Sequence, residues 1–310
     1  MKENFFSIAF LKLSLKKSKY IVILLIIFIA LYKNKGFNEF IEFNYVEFFQ
    51  EKPEYVHDDK FLWPRLIAHA GGGVADDESY TNSLQALNLN YDRGFRFFEV
   101  DIEWTRDNNL VLIHDWEESS KRLLGLDYSE GYYKRVCFKF GGVNINSVSL
   151  NKFNELKTTG KFRKLTFDDM ADWLGNHKDA YIITDIKWKN EEALQKIKDS
   201  YPGLIGQVIP QIYKIREFVP VKKIGYKRII LTLYIKNYSD EMIEKSLKLF
   251  HFDAVTMPLQ RALGGLPERI KNEKMVMFAH TVNDEKVYKK LLDLGITGVY
   301  TDFLIPQKKY

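Results

Sequence analysis

The chain has 310 residues, 46% of them apolar and 28% charged, which is room for one large folded domain and excludes a chain disordered along most of its length. Its net charge of +5 sits at the start, where Lys2, Lys12, Lys16, Lys17, Lys19, Lys33 and Lys35 against Glu3 give residues 1–35 a charge of +6 and leave −1 for the other 275. A body so close to neutral has no phosphate-tracking surface, which excludes nucleic acid as a partner, and the single Cys137 excludes an intrachain disulfide.

The first element in chain order is the run YIVILLIIFIALY at residues 20–32, which carries no charge and follows the lysine cluster. A full membrane span needs about 20 apolar residues, and flanking aromatic and lysine side chains stretch a shorter one by snorkelling. A cleaved signal peptide would need small residues next, where Lys33-Asn34-Lys35 stands. The run therefore reads as an uncleaved single-pass anchor, with the lysine-rich start cytoplasmic and the rest extracytoplasmic. Residues 36–64, aromatic and acidic without clear periodicity, read as a linker.

From residue 65 to 310 short apolar runs alternate with amphipathic stretches, the pattern of βα units and a parallel sheet. The runs fall at 66–70, 95–102, 110–114, 181–186, 207–212, 228–234, 254–258, 276–282 and 298–302. Helix-like segments fall at 82–93, 166–174, 191–201, 239–250 and 284–294, several opening on a capping Asn, Thr, Ser or Asp. The expected fold class is α/β, a (β/α)8 TIM barrel behind the anchor helix, with one of the nine candidate strands accessory. Residues 117–164 break the rhythm with a Tyr-, Gly- and Lys-rich stretch and read as an insertion over the barrel mouth. A doubly wound open sheet is disfavoured because no glycine-rich dinucleotide turn follows any of the runs.

Polar residues collect at the carboxyl ends of these runs, where barrel enzymes build their sites. His69 closes the first, Glu99 and Asp101 share one face of the second, His114-Asp115 ends the third, and Asp185 and Lys187 share a face at the end of the fourth. Carboxylates and imidazoles facing a barrel interior are costly unless paired, protonated or bound to metal. An oxygen-only donor set suits one divalent cation, Mg2+ or Ca2+, rather than zinc. Two histidines, with ordinary pKa values near working pH, suit a base and an acid on either side of a phosphorus. The chemistry that these residue types describe is phosphoryl transfer.

The segments IAHAGG at 67–72, TNSLQAL at 81–87, GFRFFEVDIEWTRDNNLVLIHDW at 94–116, TDIK at 184–187, HTVND at 280–284 and GITGVYTD at 295–302 resemble the glycerophosphodiester phosphodiesterase family over about residues 66–303. The resemblance implies a metal-dependent hydrolase of glycerophosphodiesters or related phospholipid head-group diesters. His69 and His114 would be its acid–base pair, Glu99, Asp101 and Asp185 its metal ligands, and Lys187 would lie near the phosphate, with Gly71 and Trp116 as further substrate contacts. The partners so implied are a small-molecule or lipid phosphodiester and, through the anchor, a membrane; no obligate protein partner is indicated.

The chain departs from the family pattern in four places. Ala70 stands where an arginine is usual after His69, Ser79-Tyr80-Thr81-Asn82-Ser83 replaces a Pro-Glu-Asn-Thr turn, and His280 takes the place of an aromatic. Asp185 replaces a glutamate as third ligand and is one methylene shorter. The HAGG and TNS variants are also similar to related phospholipases, so a phospholipase C- or D-like lipid phosphodiesterase is the second reading. A non-catalytic barrel that binds a phosphorylated ligand is the third, opposed by the intact histidines. A glycosidase is disfavoured because Glu99 and Asp101 share one face instead of flanking a sugar from separate strands.

Overall fold

The computed structural model describes residue 39 and residues 61–306, apart from 75–77, 127–138, 141–142, 145, 161, 237 and 272–274. The run at 20–32 lies outside the described residues, among which no helix is long and apolar enough to cross a membrane.

All nine expected runs contain a strand: β1 (Leu66–Ala68), β2 (Phe97–Trp104), β3 (Leu110–Leu112), β4 (Tyr181–Asp185), β5 (Val208–Ile212), β6 (Ile230–Thr232), β7 (Ala254–Pro258), β8 (Val276–His280) and β9 (Gly298–Thr301). Eight of them run parallel in the order β1-β9-β8-β7-β6-β5-β4-β2, and β1 pairs with β2 through Ala68 and Phe98 to close a barrel. The accessory strand is β3, which pairs antiparallel with β2, Trp104 opposite Leu110 and Ile102 opposite Leu112. His114 therefore does not end a barrel strand, as its place in the sequence suggests. A hairpin carries it back toward the mouth, where the amide of Ile113 donates to the Asp101 carbonyl at 3.1 Å.

Helices α1 (Leu84–Asp92), α2 (Glu118–Leu124), α3 (Leu150–Glu155), α4 (Phe167–Asn176), α5 (Asn190–Ser200), α6 (Phe218–Ile224), α7 (Asp240–Leu249), α8 (Leu259–Leu263), α9 (Leu266–Ile270) and α10 (Glu285–Asp293) lie along the chain between and after the strands. Their starts follow the capping logic of the sequence. Ser83, Ser239 and Asp284 accept from the amides of Ala86, Met242 and Val287, and Thr166 forms a capping box with Asp169. Residues 117–164, expected as an insertion over the mouth, supply α2, α3 and a short ribbon of Lys139–Phe140 against Val143–Asn144. From this stretch Leu123, Leu124 and Phe153 build a second small core with Trp116 just before it and Val111 and Ile113 of the hairpin.

The barrel interior is layered. Its lower layer is one buried side chain from each parallel strand: Ile67, Phe97, Ile183, Ile209, Ile230, Ala254, Phe278 and Tyr300. Phe61 and Trp63 pack against this layer, so the segment expected as a linker to residue 64 already belongs to the barrel from residue 61. Side chains two apart on a strand face the same way. Two residues on from that layer stand His69, Glu99, Asp185, Gln211, Thr232, Thr256, His280 and Asp302. The apolar floor thus gives way within one step to a wholly polar ring at the carboxyl end, the end on which barrel enzymes act.

Candidate active site

This ring and the loops above it bound a cavity of about 240 Å3 lined by His69, Tyr80, Glu99, Asp101, His114, Asp185, Lys187, Gln211, Tyr234, Pro258, His280, Thr281 and Tyr300. Asp101 and Asp185 are register partners on β2 and β4, one step above the Glu99–Ile183 pair. Pairing of these two strands therefore brings the three carboxylates together: Glu99, Asp101 and Asp185 are all buried, and each offers an oxygen within 4.8 Å of the others.

Three carboxylates this close repel one another and are poorly solvated. Burial first, then the charges of Asp101 and Asp185, raise the Glu99 pKa well above the usual range, although its Oε2 accepts from the Ala70 amide at 2.8 Å. Asp185 is also raised, chiefly by burial, with Lys187 working against the shift. Burial acts on Asp101 in the same sense but is outweighed by Lys187, His114 and Asn82, so its pKa is lowered. The Asn82 amide is matched to it: Nδ2 donates to Asp101 Oδ2 at 3.0 Å, and Oδ1 accepts from the Asp101 backbone amide at 3.0 Å.

Lys187 Nζ lies 3.3 Å from Asp101 Oδ1 and 3.6 Å from Asp185 Oδ2. In spite of burial, Asp185, Asp101 and Glu99 hold its pKa above the ordinary lysine range. Asp185 is further held by the hydroxyls of Tyr213 and Tyr234, the latter donating to Oδ2 at 2.5 Å. One ammonium does not balance three buried carboxylates. A convergent, oxygen-only donor set carrying excess negative charge fits a hard divalent cation held by Glu99, Asp101 and Asp185.

Both expected histidines meet this centre, each backed by a carboxylate. His69 Nδ1 is 2.9 Å from Asp302 Oδ1, and its Nε2 is 3.9 Å from Glu99 Oε2. His114 Nδ1 is 2.7 Å from Asp115 Oδ2, and its Nε2 is 4.0 Å from Asp101 Oδ1. A carboxylate only accepts, so in both rings Nδ1 carries a proton and Nε2 is the atom left to exchange one. The hydrogen bond to Asp115 raises the His114 pKa above its ordinary value. Asp115 is lowered despite its burial by that bond and by the amide and hydroxyl of Ser119.

Several site residues carried no assigned role in the sequence. Asn283 orients Asp302: its Oδ1 accepts from the Asp302 amide at 2.8 Å and its Nδ2 donates to Asp302 Oδ2 at 2.9 Å. The backbone of Gly73 also donates to the Asp302 carbonyl at 2.7 Å, an approach that a side chain would block, since a Cβ at Gly73 would lie 2.6 Å from that oxygen. His280, bonded to Thr256 Oγ1 at 2.9 Å, is pushed down to about 3 by burial and by His69, and is a neutral imidazole at ordinary pH. Tyr80 stands between the two histidines, its ring edge-on to His69 at 4.4 Å and to His114 at 5.5 Å, and burial pushes its hydroxyl up to about 12.

Two expected substrate contacts lie outside the lining of the cavity. Trp116 does not line the cavity. It is fully buried, its Nε1 donates to the Trp104 carbonyl at 3.0 Å, and its ring packs 6.2 Å from Phe153 in the second core. Gly71 is not among the lining residues either. It makes a turn at φ +84°, where its carbonyl accepts from Asn90 Nδ2 at 3.0 Å.

The chain is 23% identical over 274 residues to the glycerophosphodiester phosphodiesterase of Bacillus subtilis, covering 81% of this chain and 87% of that one. Among solved structures it is similar to the glycerophosphodiester phosphodiesterase of Thermotoga maritima, with a TM-score of 0.57 at 21% identity over 78% of this chain and 96% of that one. It is similar too to an Oleispira antarctica phosphodiesterase solved with its product sn-glycerol-3-phosphate, with a TM-score of 0.53 at 15% identity over 77% and 93%. At these identities the solved structures establish the barrel fold. The sequence model of the glycerophosphoryl diester phosphodiesterase family matches residues 74–305, from the turn after His69 to just beyond Asp302. The chain belongs to the glycerophosphoryl diester phosphodiesterase family, whose members are phosphoric diester hydrolases acting on glycerophosphodiesters.

Proposed function

We propose that His69 and His114 are the base and acid of this hydrolase, that Glu99, Asp101 and Asp185 hold one Mg2+ or Ca2+, and that Lys187 meets the phosphate. The observation that carries the reading is the matched pair of histidines. Each is fixed at Nδ1 by a carboxylate, and each turns Nε2 toward the same acidic centre, 3.9 Å from Glu99 and 4.0 Å from Asp101.

A diester is cleaved when an attacking oxygen, from a neighbouring glycerol hydroxyl or from water, gives up a proton as it bonds to phosphorus while the leaving alkoxide gains one. His69 Nε2 takes the first proton and His114 Nε2 delivers the second. The raised pKa of His114 suits the donor. When bound, a divalent cation neutralises phosphate oxygens and lowers the pKa of the attacking group. Lys187 adds a fixed positive charge beside it. His280, neutral by burial, faces the substrate as a hydrogen-bonding wall that does not add charge.

The substrate is a glycerophosphodiester or a related lipid head-group diester, for which the similar Oleispira antarctica phosphodiesterase, solved with sn-glycerol-3-phosphate, is a chemical guide. The run at 20–32 anchors the chain in a membrane with the barrel extracytoplasmic, a reading that rests on its apolar character and the lysines before it.

The test is release of the alcohol from glycerophosphodiesters and lysolipids by the purified chain after chelation and on return of Mg2+ or Ca2+. Full activity in excess chelator contradicts the metal assignment. Full-length chain should stay with membranes through a high-salt wash and a chain lacking residues 1–35 should not; equal solubility of the two contradicts the anchor.

A further inference from the structure

The family resemblance assigns Tyr80 no role, yet its position is tightly built. It is not a glycine, but it stands at φ +57°, and the chain is tied down on both sides of it. Arg122 of α2 donates to the carbonyls of Ser79 and Tyr80 at 3.2 and 2.9 Å. Two residues on, the amide of Asn82 donates to the Ala70 carbonyl at 3.1 Å and its side chain grips Asp101. A residue with a side chain keeps such a conformation only where its surroundings impose it. The imposed place is beside the two imidazoles, with the ring edge-on to both, in the lining of the cavity.

A phosphodiester anion entering this cavity needs donors, and few are uncommitted. Ala70 offers no charge where an arginine is usual, and its amide is taken by Glu99. Among the described residues lining the cavity, Lys187 alone carries a fixed positive charge, and it is already shared by Asp101 and Asp185. Tyr234 is committed to Asp185, and Tyr300 donates to Gln211 Oε1 at 3.3 Å. The Tyr80 hydroxyl differs from these in lining the cavity without a hydrogen bond to any of the carboxylates.

We propose that Tyr80 is a catalytic residue whose hydroxyl donates to a non-bridging oxygen of the phosphodiester held between His69 and His114, supplying a donor where Ala70 replaces the arginine. Arg122 is the positioning residue that fixes its loop. The inference rests on the acid–base reading of the two histidines.

The test uses the full chain and Tyr80→Phe, which removes one oxygen and keeps the ring, on an alkyl glycerophosphodiester and on the Rp and Sp phosphorothioates of the same ester. Sulfur accepts hydrogen bonds poorly, so the diastereomer that turns sulfur toward Tyr80 gains little from the phenol in the first place. Loss of a preorganised donor lowers kcat/KM on the oxygen ester by about 10²-fold. On one phosphorothioate the loss shrinks to less than about tenfold, while the melting temperature, the affinity for Mg2+ and the shape of the pH profile are unchanged. Wild-type kcat/KM in Tyr80→Phe overturns the proposal, and so does an equal loss on all three esters, which marks a structural effect only. His69→Ala and His114→Ala are run in parallel. Wild-type turnover in both means that the histidine reading has failed, whereas their inactivity beside a fully active Tyr80→Phe removes the Tyr80 assignment alone.

Discussion

Nδ1 of His69 and Oδ1 of Asp302 lie 2.9 Å apart although 233 positions separate them in the chain. The contact exists because β1 and β9 are neighbours in the closed barrel, Ala68 opposite Thr301, which places the residues just beyond both strands side by side. Asn283, on the loop after β8, holds the other oxygen of Asp302. His69 is thus oriented by a relay assembled from three strand ends.

Asp302→Asn keeps the shape of that relay but removes the charge and lets an amide face the ring, so His69 loses its fixed tautomer. Turnover should fall by about 10- to 100-fold, part of the 10²–10⁴ that a positioned base supplies, with little change in KM. Steady-state kinetics on an alkyl glycerophosphodiester measure it; an unchanged kcat would show that Asp302 only supports the fold.

Asn82 makes two hydrogen bonds to Asp101 and none of its atoms is among the expected metal ligands. Losing an orienting partner of a ligand typically lowers metal affinity by about 10- to 100-fold. Titration calorimetry of Asn82→Ala with Mg2+ or Ca2+ should show a weakening of that order, and wild-type affinity would contradict the link.

The hydrogen bond that His114 donates to Asp115 raises its pKa, and the proposed acid must be protonated to work. Activity therefore declines as pH rises through the raised value. Asp115→Asn removes the cause and should move the alkaline limb of the rate profile to lower pH. The stability contribution has the same sign. It is complete below the ordinary histidine range and is lost as pH climbs through the folded-state pKa. An alkaline limb that stays in place in the variant would contradict the assignment of His114 as acid.

Trp116 separates fold from function two residues from His114, the proposed acid. Because it is fully buried and bonded to the Trp104 carbonyl, Trp116→Ala should destabilise the chain by about 3–5 kcal/mol. At temperatures where the variant is folded its KM should match wild type. A large KM effect without loss of stability would restore it as a substrate contact.

Much of this site is legible in the sequence because a strand fixes side-chain direction every second residue. Glu99 and Asp101, or Asp185 and Lys187, share a face in any strand that contains them, and Phe97 and Ile183, two before Glu99 and Asp185, belong to the floor of the barrel. Applied to every strand, the same two-residue step reaches Gln211, Thr256, His280 and Asp302, and so contained a signal for the missed members of the polar ring. What the step cannot give is which strand ends meet, and the pairing of His69 with Asp302 depends on barrel closure. The reversal of β3 is hidden for a related reason: a three-residue apolar strand reads alike in either direction. The turn Asp107-Asn108-Asn109, with Asn108 at φ +61°, is the hairpin signal that distinguishes the two. Tyr80 lies in a loop shaped by Arg122 from the insertion, a contact that no periodicity encodes. Trp116 is close to His114 in sequence but turned away from the cavity in space, because the chain bends there into a second core.

The division of labour between the histidines is the central claim, and turnover of His69→Ala and His114→Ala on two esters tests it most directly. On an alkyl glycerophosphodiester both variants should lose about 10²- to 10⁴-fold in kcat with metal content intact. On a nitrophenyl ester, whose leaving group needs no proton, His114→Ala should recover most of its rate and His69→Ala should not. Wild-type rates for both variants on both esters would contradict the account.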